Sequence, residues 1–455
     1  MGASTEIKDR LKVLNERLAR YIPPREAWTP AEEALFKPAD LYRVPVEEAH
    51  GIQLKAIKHT FTRHYALNEF YHEYCEARGV TPEDITTYDD LEKIPRVPDL
   101  TFKQHPSGKD LAYWITVIYT GEPAKVVIEG ANPTFDDIIN AFNAVGMVVS
   151  YSSGTSGQHT VIPRDMRTYM DQQYAHAKLK SCLCDLMAAD HFLMFWPKWT
   201  QTNLSIGRDM AHKSEMLNDV RYALDFDISA DLTLKAMIDK EQPEPPPSAQ
   251  KRRRKIVEVA IKWLERYEKT SDVIGVEGGP FLIFELIETL EREGKLFAFG
   301  DRGMIGTAGG WKVSEDKRIS AAAFRKRVEE VLGIPETNCW DQYGSVEMGG
   351  IVNTCREGHY FHVPYTWFKP LVLGDDLTPI GYGEKGRFAF LDGLARSYPG
   401  FIVTSDEVRM LECCPVCDRP GPVLEPEIKR AKGEEMRGCA EELRRVFAQM
   451  LREDD

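Results

Sequence analysis

A short segment rich in glycine and hydroxyl groups, residues 151–157, has the composition of an anion-binding turn. It lies between two apolar segments, residues 146–150 and 160–162, which we expect to be strands. Its glycines allow backbone conformations in which successive N–H groups can converge on one phosphate. The expected phosphate cradle consists of Ser152, Ser153, Gly154, Thr155, Ser156 and Gly157. A polar hairpin tip is the alternative, and a P-loop is not indicated because no Gly-Lys-Ser/Thr follows.

A second segment, residues 340–347, places an aromatic ring and a carboxylate on either side of a glycine turn. The ring of Tyr343 could stack on a base, with Gly344 and Ser345 forming the turn beside it. Glu347 follows closely enough to hold Mg²⁺ against phosphate groups, since this ion prefers oxygen ligands. We therefore expect a base platform with a metal ligand here.

Two more turns complete a set of four. Residues 304–312 are predicted to form a strand and a glycine turn that ends at Lys312. Residues 398–406 are predicted to form a turn and a strand that ends at Asp406, whose carboxylate could accept both hydroxyls of a ribose. Each turn alone is a weak signal, but the four in this order could hold the phosphates, base and ribose of one nucleotide.

The chain has nine cysteines, four of which crowd into its last tenth. In a reducing compartment such crowding indicates metal or thiol chemistry more than disulfides. A Cys-x-x-Cys pair with a distant cysteine and histidine could form a closed, structural zinc site. The expected ligands are Cys355, His362, Cys414 and Cys417, with Cys413 and His359 as substitutes. Partly buried free thiols are the alternative.

Short apolar strands alternate with amphipathic helices, which predicts an α/β fold. Helices are expected at residues 7–21, twice within 45–79, and at 135–145, 166–187, 256–267 and 281–294. Further strands are expected at residues 126–128, 191–196, 273–277 and 296–299. The prolines and basic residues of 241–255 predict a mobile loop. Apolar residues at 191–199 and 273–281 could line a pocket for a fatty or an aromatic acid.

The length, composition and net charge of the chain indicate a globular protein and argue against some other classes. The chain has 455 residues, 43% of them hydrophobic and 28% charged, which is typical of a globular protein with a sizeable core. Its formal net charge of −13 argues against general nucleic-acid binding. No apolar run is long enough to cross a bilayer, and residues 1–20 lack a signal-peptide core. We therefore expect a cytoplasmic protein without a membrane span.

The four turns resemble the motifs of the adenylate-forming (ANL) superfamily. Its phosphate loop, Ser-Ser/Thr-Gly-Thr-Thr/Ser-Gly, is matched at residues 152–157. Its aromatic-Gly-Ser/Thr-x-Glu motif is matched at 343–347, and its Thr-x-Asp at 404–406. Within the superfamily the chain is most similar to the acyl-protein synthetases (LuxE-like), with phenylacetate–CoA ligases next. That likeness rests on segments 70–79, 94–103, 309–312, 355–364 and 437–440, so it spans about residues 60 to 440.

The resemblance implies a fold, a division of the chain and a set of roles. The fold is a large ANL-type N-terminal domain with mixed and parallel sheets flanked by helices, plus a small β-rich subdomain that contains cysteines. The regions are an N-terminal helical region (1–110), an adenylation core (111–350), a β-rich subdomain (351–430) and a truncated C-terminal helix (431–455). ATP and Mg²⁺ are the implied cofactors, with residues 152–157 on the phosphates, Tyr343 near adenine, Glu347 on the metal, Asp406 on ribose and Arg430 as the hinge-side arginine.

The chain departs from the superfamily in two ways. Gln158-His159-Thr160 stands where a lysine usually follows the phosphate loop. The chain also ends at residue 455, so that the mobile C-terminal domain and its adenylation lysine are expected to be missing. A cation is still needed while the acyl phosphate bond forms. Lys312 is the expected catalytic cation, and a surface lysine without a role is the alternative.

In acyl-protein synthetases a cysteine near the C-terminus receives the acyl group from the adenylate. Cys439 matches that position, and Lys432 and Arg437 would lower the pKa of its thiol. The alternative is a cysteine packed at the start of a helix.

The expected activity is formation of an acyl-adenylate from a small carboxylic acid, then transfer to a protein thiol of a reductase or carrier. A phenylacetate-type CoA ligase and a non-catalytic nucleotide-binding or scaffold protein are the other hypotheses.

Overall fold

A computed structural model describes residues 2–154, 158–224, 227–230, 247–311 and 317–431. Five residues with expected roles lie outside these ranges, namely Thr155, Ser156, Gly157, Lys312 and Cys439.

Strands are distributed from residue 97 onward in the described part of the chain. They are β1 (Val97–Pro98), β2 (Met147–Tyr151), β3 (Val161–Asp165), β4 (His191–Pro197), β5 (Val220–Leu224), β6 (Ile274–Gly278), β7 (Gly303–Ala308), β8 (Cys339–Tyr343), β9 (Val352–Thr354), β10 (Phe361–His362), β11 (Phe368–Leu373), β12 (Lys385–Asp392), β13 (Phe401–Leu411), β14 (Val423–Leu424) and β15 (Lys429–Arg430).

Helices dominate the N-terminal part and alternate with strands in the middle of the chain. They are α1 (Gly2–Arg17), α2 (Pro30–Phe36), α3 (Val46–Leu67), α4 (Glu69–Glu76), α5 (Asp110–Ile118), α6 (Phe135–Ala144), α7 (Met166–Leu183), α8 (Ser205–Arg208), α9 (Lys213–Met216), α10 (Pro247–Tyr267), α11 (Pro280–Arg292) and α12 (Ala321–Leu332). Some helix starts follow local signals in the sequence. At α6, Thr134 and Asp137 form a reciprocal capping box, and at α11, Pro280 takes the first position after Gly279.

Thirteen of these strands form one sheet, in the order β11-β12-β13-β14-β10-β9-β8-β7-β6-β4-β5, with β1 and β15 also paired to β13. The strands β5, β4, β6, β7 and β8 pair in parallel. The pairs from β8 through β11 are antiparallel, while β1 runs parallel to β13. The strands β2 and β3 form a separate antiparallel hairpin. The predicted α/β fold with mixed sheets is therefore confirmed.

The parallel strands are buried on both faces, so their side chains alternate between two cores. Along β4, Phe192 and Met194 belong to the core that contains α7. Leu193 and Phe195 belong to the core formed with α10, α11 and α12. Helices thus cover both faces of the parallel part of the sheet.

A buried charge cluster ties the N-terminal helices to the rest of the molecule. Nη1 of Arg396, which follows β12, lies 3.1 Å from Oε1 of Glu32 on α2. The same guanidinium pairs with Asp171 on α7. Because all three side chains are almost completely buried, removal of one partner would leave an uncompensated charge. The predicted region boundaries at residues 110, 350 and 430 stay a prediction.

Three predicted elements are wrong. Residues 126–128 form no strand. Residues 296–299 form none either, because the amides of Phe297 and Phe299 donate to carbonyl oxygens at the C-terminal end of α12. Residues 247–255, predicted as part of a loop, belong to α10, whose following residues Ile256 and Val257 pack in the core.

No helix among the described residues combines the length and the apolar character needed to cross a membrane.

Candidate active site

The predicted phosphate cradle begins at the end of the β2–β3 hairpin, where Tyr151 pairs with Val161. The amide of Ser152 donates to the carbonyl oxygen of Thr160 at 2.9 Å, and the amide of Thr160 donates to Oγ of Ser152 at 2.9 Å. Nδ1 of His159 donates to the carbonyl oxygen of Ser152 at 2.6 Å. The first residues of the cradle are therefore held in place from both strands.

His159 belongs to the segment 158–160 that follows the predicted phosphate loop, and its side chain packs against the start of that loop. Its ring packs 4.8 Å from that of Tyr151 and 5.2 Å from that of Phe135, measured between centroids. Its carbonyl oxygen is 3.1 Å from Nε2 of His105. Burial lowers the pKa of His159, so its ring is neutral at neutral pH. This residue shapes the loop and does not supply the missing positive charge.

Two cavities with a shared wall form a cleft beside this hairpin. The smaller cavity has a volume of about 250 Å³ and the larger cavity about 1170 Å³. Their shared wall includes Lys103, Gly309, Gln342, Gly344, Asp406 and Arg430. Ser152, Ser153, Ser345 and Glu347 line the smaller cavity alone, and Tyr343 lines the larger cavity alone. Gly154 is buried and lines neither cavity.

The structure thus brings the described residues of the expected nucleotide site, other than Gly154, to one cleft. Asp406 joins two of them. One oxygen, Oδ2, accepts a hydrogen bond from the hydroxyl of Tyr343 at 2.8 Å, and the other, Oδ1, lies 3.2 Å from Nη1 of Arg430. Burial and the nearby Asp406 carboxylate raise the pKa of Tyr343 well above its usual value, so the hydroxyl remains a donor.

The expectation that a strand ends at Asp406 is wrong. Asp406 lies within β13, which continues to Leu411, and it pairs with Arg430 of β15. Its side chain reaches the cleft because alternate residues of a strand point to one face. The position is set by this pairing and not by a strand terminus.

A cation that we did not assign from the sequence also lies in the cleft. Nζ of Lys103 is 2.6 Å from Oδ2 of Asp99, which also accepts a hydrogen bond from Ser405. Glu347 is 4% exposed, and burial raises the pKa of its carboxyl group, while the Lys103 ammonium opposes that shift. The sequence offers little indication of this role, because Lys103 lies in none of the four glycine turns and only contributes to the family likeness through segment 94–103.

The segments predicted to line an acid pocket contribute little to these two cavities. None of the residues 191–199 lines either cavity among the described residues, and of 273–281 only Pro280 does, in the larger cavity. The wall of the smaller cavity instead includes α8 and the residues that follow it, Asp209 and Met210. The strands in these two segments, β4 and β6, are buried between helices. Their side chains therefore do not reach the cleft, whereas residues that follow each strand in the chain do.

A Cys/His cluster lies at the sheet where β9, β10 and β14 pair. Its members are Cys355, His362, Cys414 and Cys417, whose ligand atoms all lie within 4.8 Å of one another. Sγ of Cys417 is 3.4 Å from Nε2 of His362, and the sulfurs of Cys355 and Cys414 are 3.9 Å apart. Three thiols and an imidazole this close could hold one metal ion. The substitutes Cys413 and His359 are not part of this cluster: Cys413 is exposed, and His359 lines the larger cavity.

Comparison with known proteins agrees with this geometry. The family model described as "Acyl-protein synthetase, LuxE" matches residues 223–448. The long-chain-fatty-acid–luciferin-component ligase of Aliivibrio fischeri is 23% identical over 422 residues, covering 90% of this chain and 92% of the relative. The ligase of the same name from Vibrio harveyi is 23% identical over 416 residues, covering 88% and 90%.

Among solved structures, 2-hydroxyisobutyryl-CoA ligase in complex with 2-HIB-AMP and CoA is similar with a TM-score of 0.58. The alignment has 15% sequence identity and covers 90% of this chain and 72% of that one. This chain therefore shares its fold with that ligase. The sequence matches are to LuxE-like acyl-protein synthetases, so the resemblance that the sequence motifs predicted is confirmed.

Substitution of Gly154 tests how the hairpin fixes the cradle. Gly154 has φ +69°, and an added Cβ would lie 3.0 Å from Nδ1 of His159. We expect Gly154→Ala to lower the free energy of unfolding by about 1–2 kcal/mol through backbone strain, and further through displacement of His159. The control is Gly146→Ala, where φ is +86° and no atom lies within 4 Å of the added Cβ. Urea denaturation that gives equal losses for the two variants would contradict a loop locked by His159.

Proposed function

We propose that this chain activates a carboxylic acid with ATP and transfers the acyl group to a thiol. The observation that supports this most directly is the convergence of Ser153, Glu347 and Asp406 on one cleft. The matching family is one of acyl-protein synthetases and both relatives are named ligases, which favours catalysis over a non-catalytic scaffold.

In the first step a carboxylate oxygen attacks the α-phosphorus of ATP. A P–O bond to the acid forms, the bond from this phosphorus to the bridging oxygen breaks, and pyrophosphate leaves with the electron pair. Because charge on the phosphate oxygens must be balanced throughout, positioned donors and cations supply most of the catalysis. Ser152 and Ser153, which line the smaller cavity, are assigned to the phosphates together with residues 154–157.

The nucleoside is assigned to the larger cavity. Tyr343 lines that cavity, and its ring is held at 6.3 Å from Phe361 and 5.8 Å from Phe388 between centroids. Asp406 already accepts a hydrogen bond from Tyr343 and pairs with Arg430, but a carboxylate has about four acceptor sites. It can therefore still receive the ribose hydroxyls, while Gly344 and Ser345 form the turn beside the base.

Glu347 fits a Mg²⁺ ligand. Its carboxylate is nearly buried and lines the same cavity as Ser152 and Ser153. Burial raises the pKa of this carboxyl group, and a divalent cation nearby would oppose that shift by stabilising the ionised form. When bound, Mg²⁺ would neutralise charge on the phosphates of ATP.

Lys103 is the described lysine that we assign to the α-phosphate. It lies on the shared wall of both cavities, where its side chain is 14% exposed. Asp99 orients it by a charged hydrogen bond. Lys312 remains a proposal of the same kind.

ATP–pyrophosphate exchange tests the first step. We expect exchange that requires a carboxylic acid, and we expect Lys103→Met to lower its rate by about 100-fold or more, since one charge facing the transition state is removed. Lys109→Met, a change of an exposed lysine outside the cleft, is the matched control and should leave the rate unchanged. Exchange that needs no acid would contradict the function, and full activity of Lys103→Met would contradict the role of Lys103.

In the second step a thiolate attacks the acyl carbon. A C–S bond forms, the bond from the acyl carbon to the oxygen of AMP breaks, and AMP leaves. We assign the thiol to Cys439, followed by transfer to a partner protein such as a reductase or carrier. Transfer to free CoA is the second candidate, favoured by the fold shared with a CoA ligase.

Acyl labelling distinguishes these acceptors. With a radiolabelled acid and ATP, we expect a hydroxylamine-sensitive label on the protein that Cys439→Ala removes. Cys413→Ala, which changes an exposed cysteine, should keep the label. Retention of the label by Cys439→Ala would contradict the assignment, and labelled CoA formed without labelled protein would establish the CoA ligase.

We assign a structural Zn²⁺ to Cys355, His362, Cys414 and Cys417. The donor set fits a closed tetrahedral site, and a bound ion would join the loop after β13 to β9 and β10. The site is separate from the cleft, because none of its four residues lines either cavity.

Metal analysis tests this assignment. We expect about one zinc ion per chain, and we expect Cys417→Ser to lose the ion and about 4 kcal/mol or more of stability, because loss of a structural metal is among the most destabilising changes. Cys413→Ser is the matched control, since Cys413 is exposed and outside the cluster. A metal-free protein that is equally stable in both variants would show a cluster of free thiols.

A further inference from the structure

The side chains that line the smaller cavity can select which acid is activated. This inference rests on the proposed function, since the carboxylate must reach the phosphates near Ser153 and Glu347. The remainder of the acid then lies in the same cavity, against α7, α8 and the end of β8. At about 250 Å³ this space is smaller than the roughly 300–1,000 Å³ of sites for drug-sized ligands.

A buried carboxylate stands in this wall. Asp209, the residue after α8, is 4% exposed, and its Oδ1 has no hydrogen-bond partner among the described residues. Arg164 and Arg208 favour its charged form, but burial has the larger effect and raises its pKa to about 6. A hydrocarbon chain placed here would leave Oδ1 of Asp209 without water and without a hydrogen-bond partner, which is unfavourable.

His176 of α7 presents a second unpartnered acceptor. Its Nδ1 lies 3.3 Å from the carbonyl oxygen of Asp209, so Nδ1 carries the proton. The pKa of His176 is lowered to about 3 by burial, which keeps the ring neutral. Its Nε2 is therefore an acceptor, and it has no partner within the described ranges.

Gln342 of β8 presents a third acceptor, and a buried glutamate fixes the orientation of its side-chain amide. Nε2 of Gln342 donates to Oε1 of Glu277 at 3.1 Å. Glu277 is fully buried and also pairs with Lys180 and Lys213, so it remains an acceptor. Oε1 of Gln342 consequently cannot exchange places with Nε2, and no described residue donates to it.

We propose that the acid activated by this chain is a short carboxylic acid with an amino or hydroxyl group that donates hydrogen bonds to Asp209, His176 and Gln342. Three acceptors in the wall of one small cavity match a ligand with several donors. A site built for such donors rejects the analogue that lacks them far more strongly than an apolar pocket rejects an extra group.

Exchange with matched acids tests this inference on the wild-type chain. The series is 3-aminobutyrate, 3-hydroxybutyrate, butyrate and tetradecanoate. We expect kcat/KM for the better of the two donor-bearing acids to exceed that for butyrate by more than about 100-fold, and the two arms show whether the donor is amino or hydroxyl. Faster exchange with butyrate or tetradecanoate would overturn the inference and keep the proposed function. Exchange with no acid at all would overturn both.

A variant then locates the selectivity. We expect Asp209→Asn to reduce the preference for the donor-bearing acid over butyrate by about tenfold or more, since a charged acceptor is lost. Asp375→Asn is the matched control, because Asp375 is exposed between β11 and β12 and lines neither cavity. An unchanged preference in folded Asp209→Asn would contradict the role of Asp209. If that variant does not fold, the wild-type series still decides the proposal.

Discussion

The pairing of strand β13 with its neighbours is the constraint on which the cleft depends. This strand pairs with β1, β12, β14 and β15, and the first and last of these contribute to the site. The parallel pairing of Val97 with Ile402 brings in the chain that leads to Lys103. The antiparallel pairing of Asp406 with Arg430 brings in β15. The chain near residue 97 and the chain near residue 430 thus meet because both pair with the backbone of this one strand.

The polar groups of the cleft are held before any ligand binds. Tyr343 is bonded to Asp406, Lys103 to Asp99, and Gln342 to Glu277. In a partly buried site such bonds are stronger than in water, and groups that are already oriented need little rearrangement during reaction. Burial in the same cleft raises the pKa of Glu347, and the nearby Lys103 ammonium opposes that shift.

Buried charges also join elements that pack in the hydrophobic cores. Arg396 connects α2 with α7, and a buried glutamate at β6 is balanced by two lysines. Such clusters are costly if one member is lost, because the remaining charge has no solvent. They restrict how the helices and the sheet can sit relative to each other, and thereby keep the walls of both cavities in place.

The sequence by itself determined the α/β fold, the resemblance to acyl-protein synthetases and the residues proposed for most of the nucleotide site. Local signals were sufficient because apolar periodicity marks strands and helices, and glycine turns with hydroxyl or carboxylate neighbours mark ligand loops. Only the tertiary structure decided which residues share a cavity. Lys103 and Asp209 lie in none of the four glycine turns. They reach the cleft through the pairing of β1 with β13 and through the short helix α8, which contacts β2 and β4. Contacts between distant segments, which no local pattern encodes, likewise decided three other features. They are the continuation of β13 past Asp406, the extended segment at 296–299, and the grouping of Cys355, His362, Cys414 and Cys417 without the nearby substitutes.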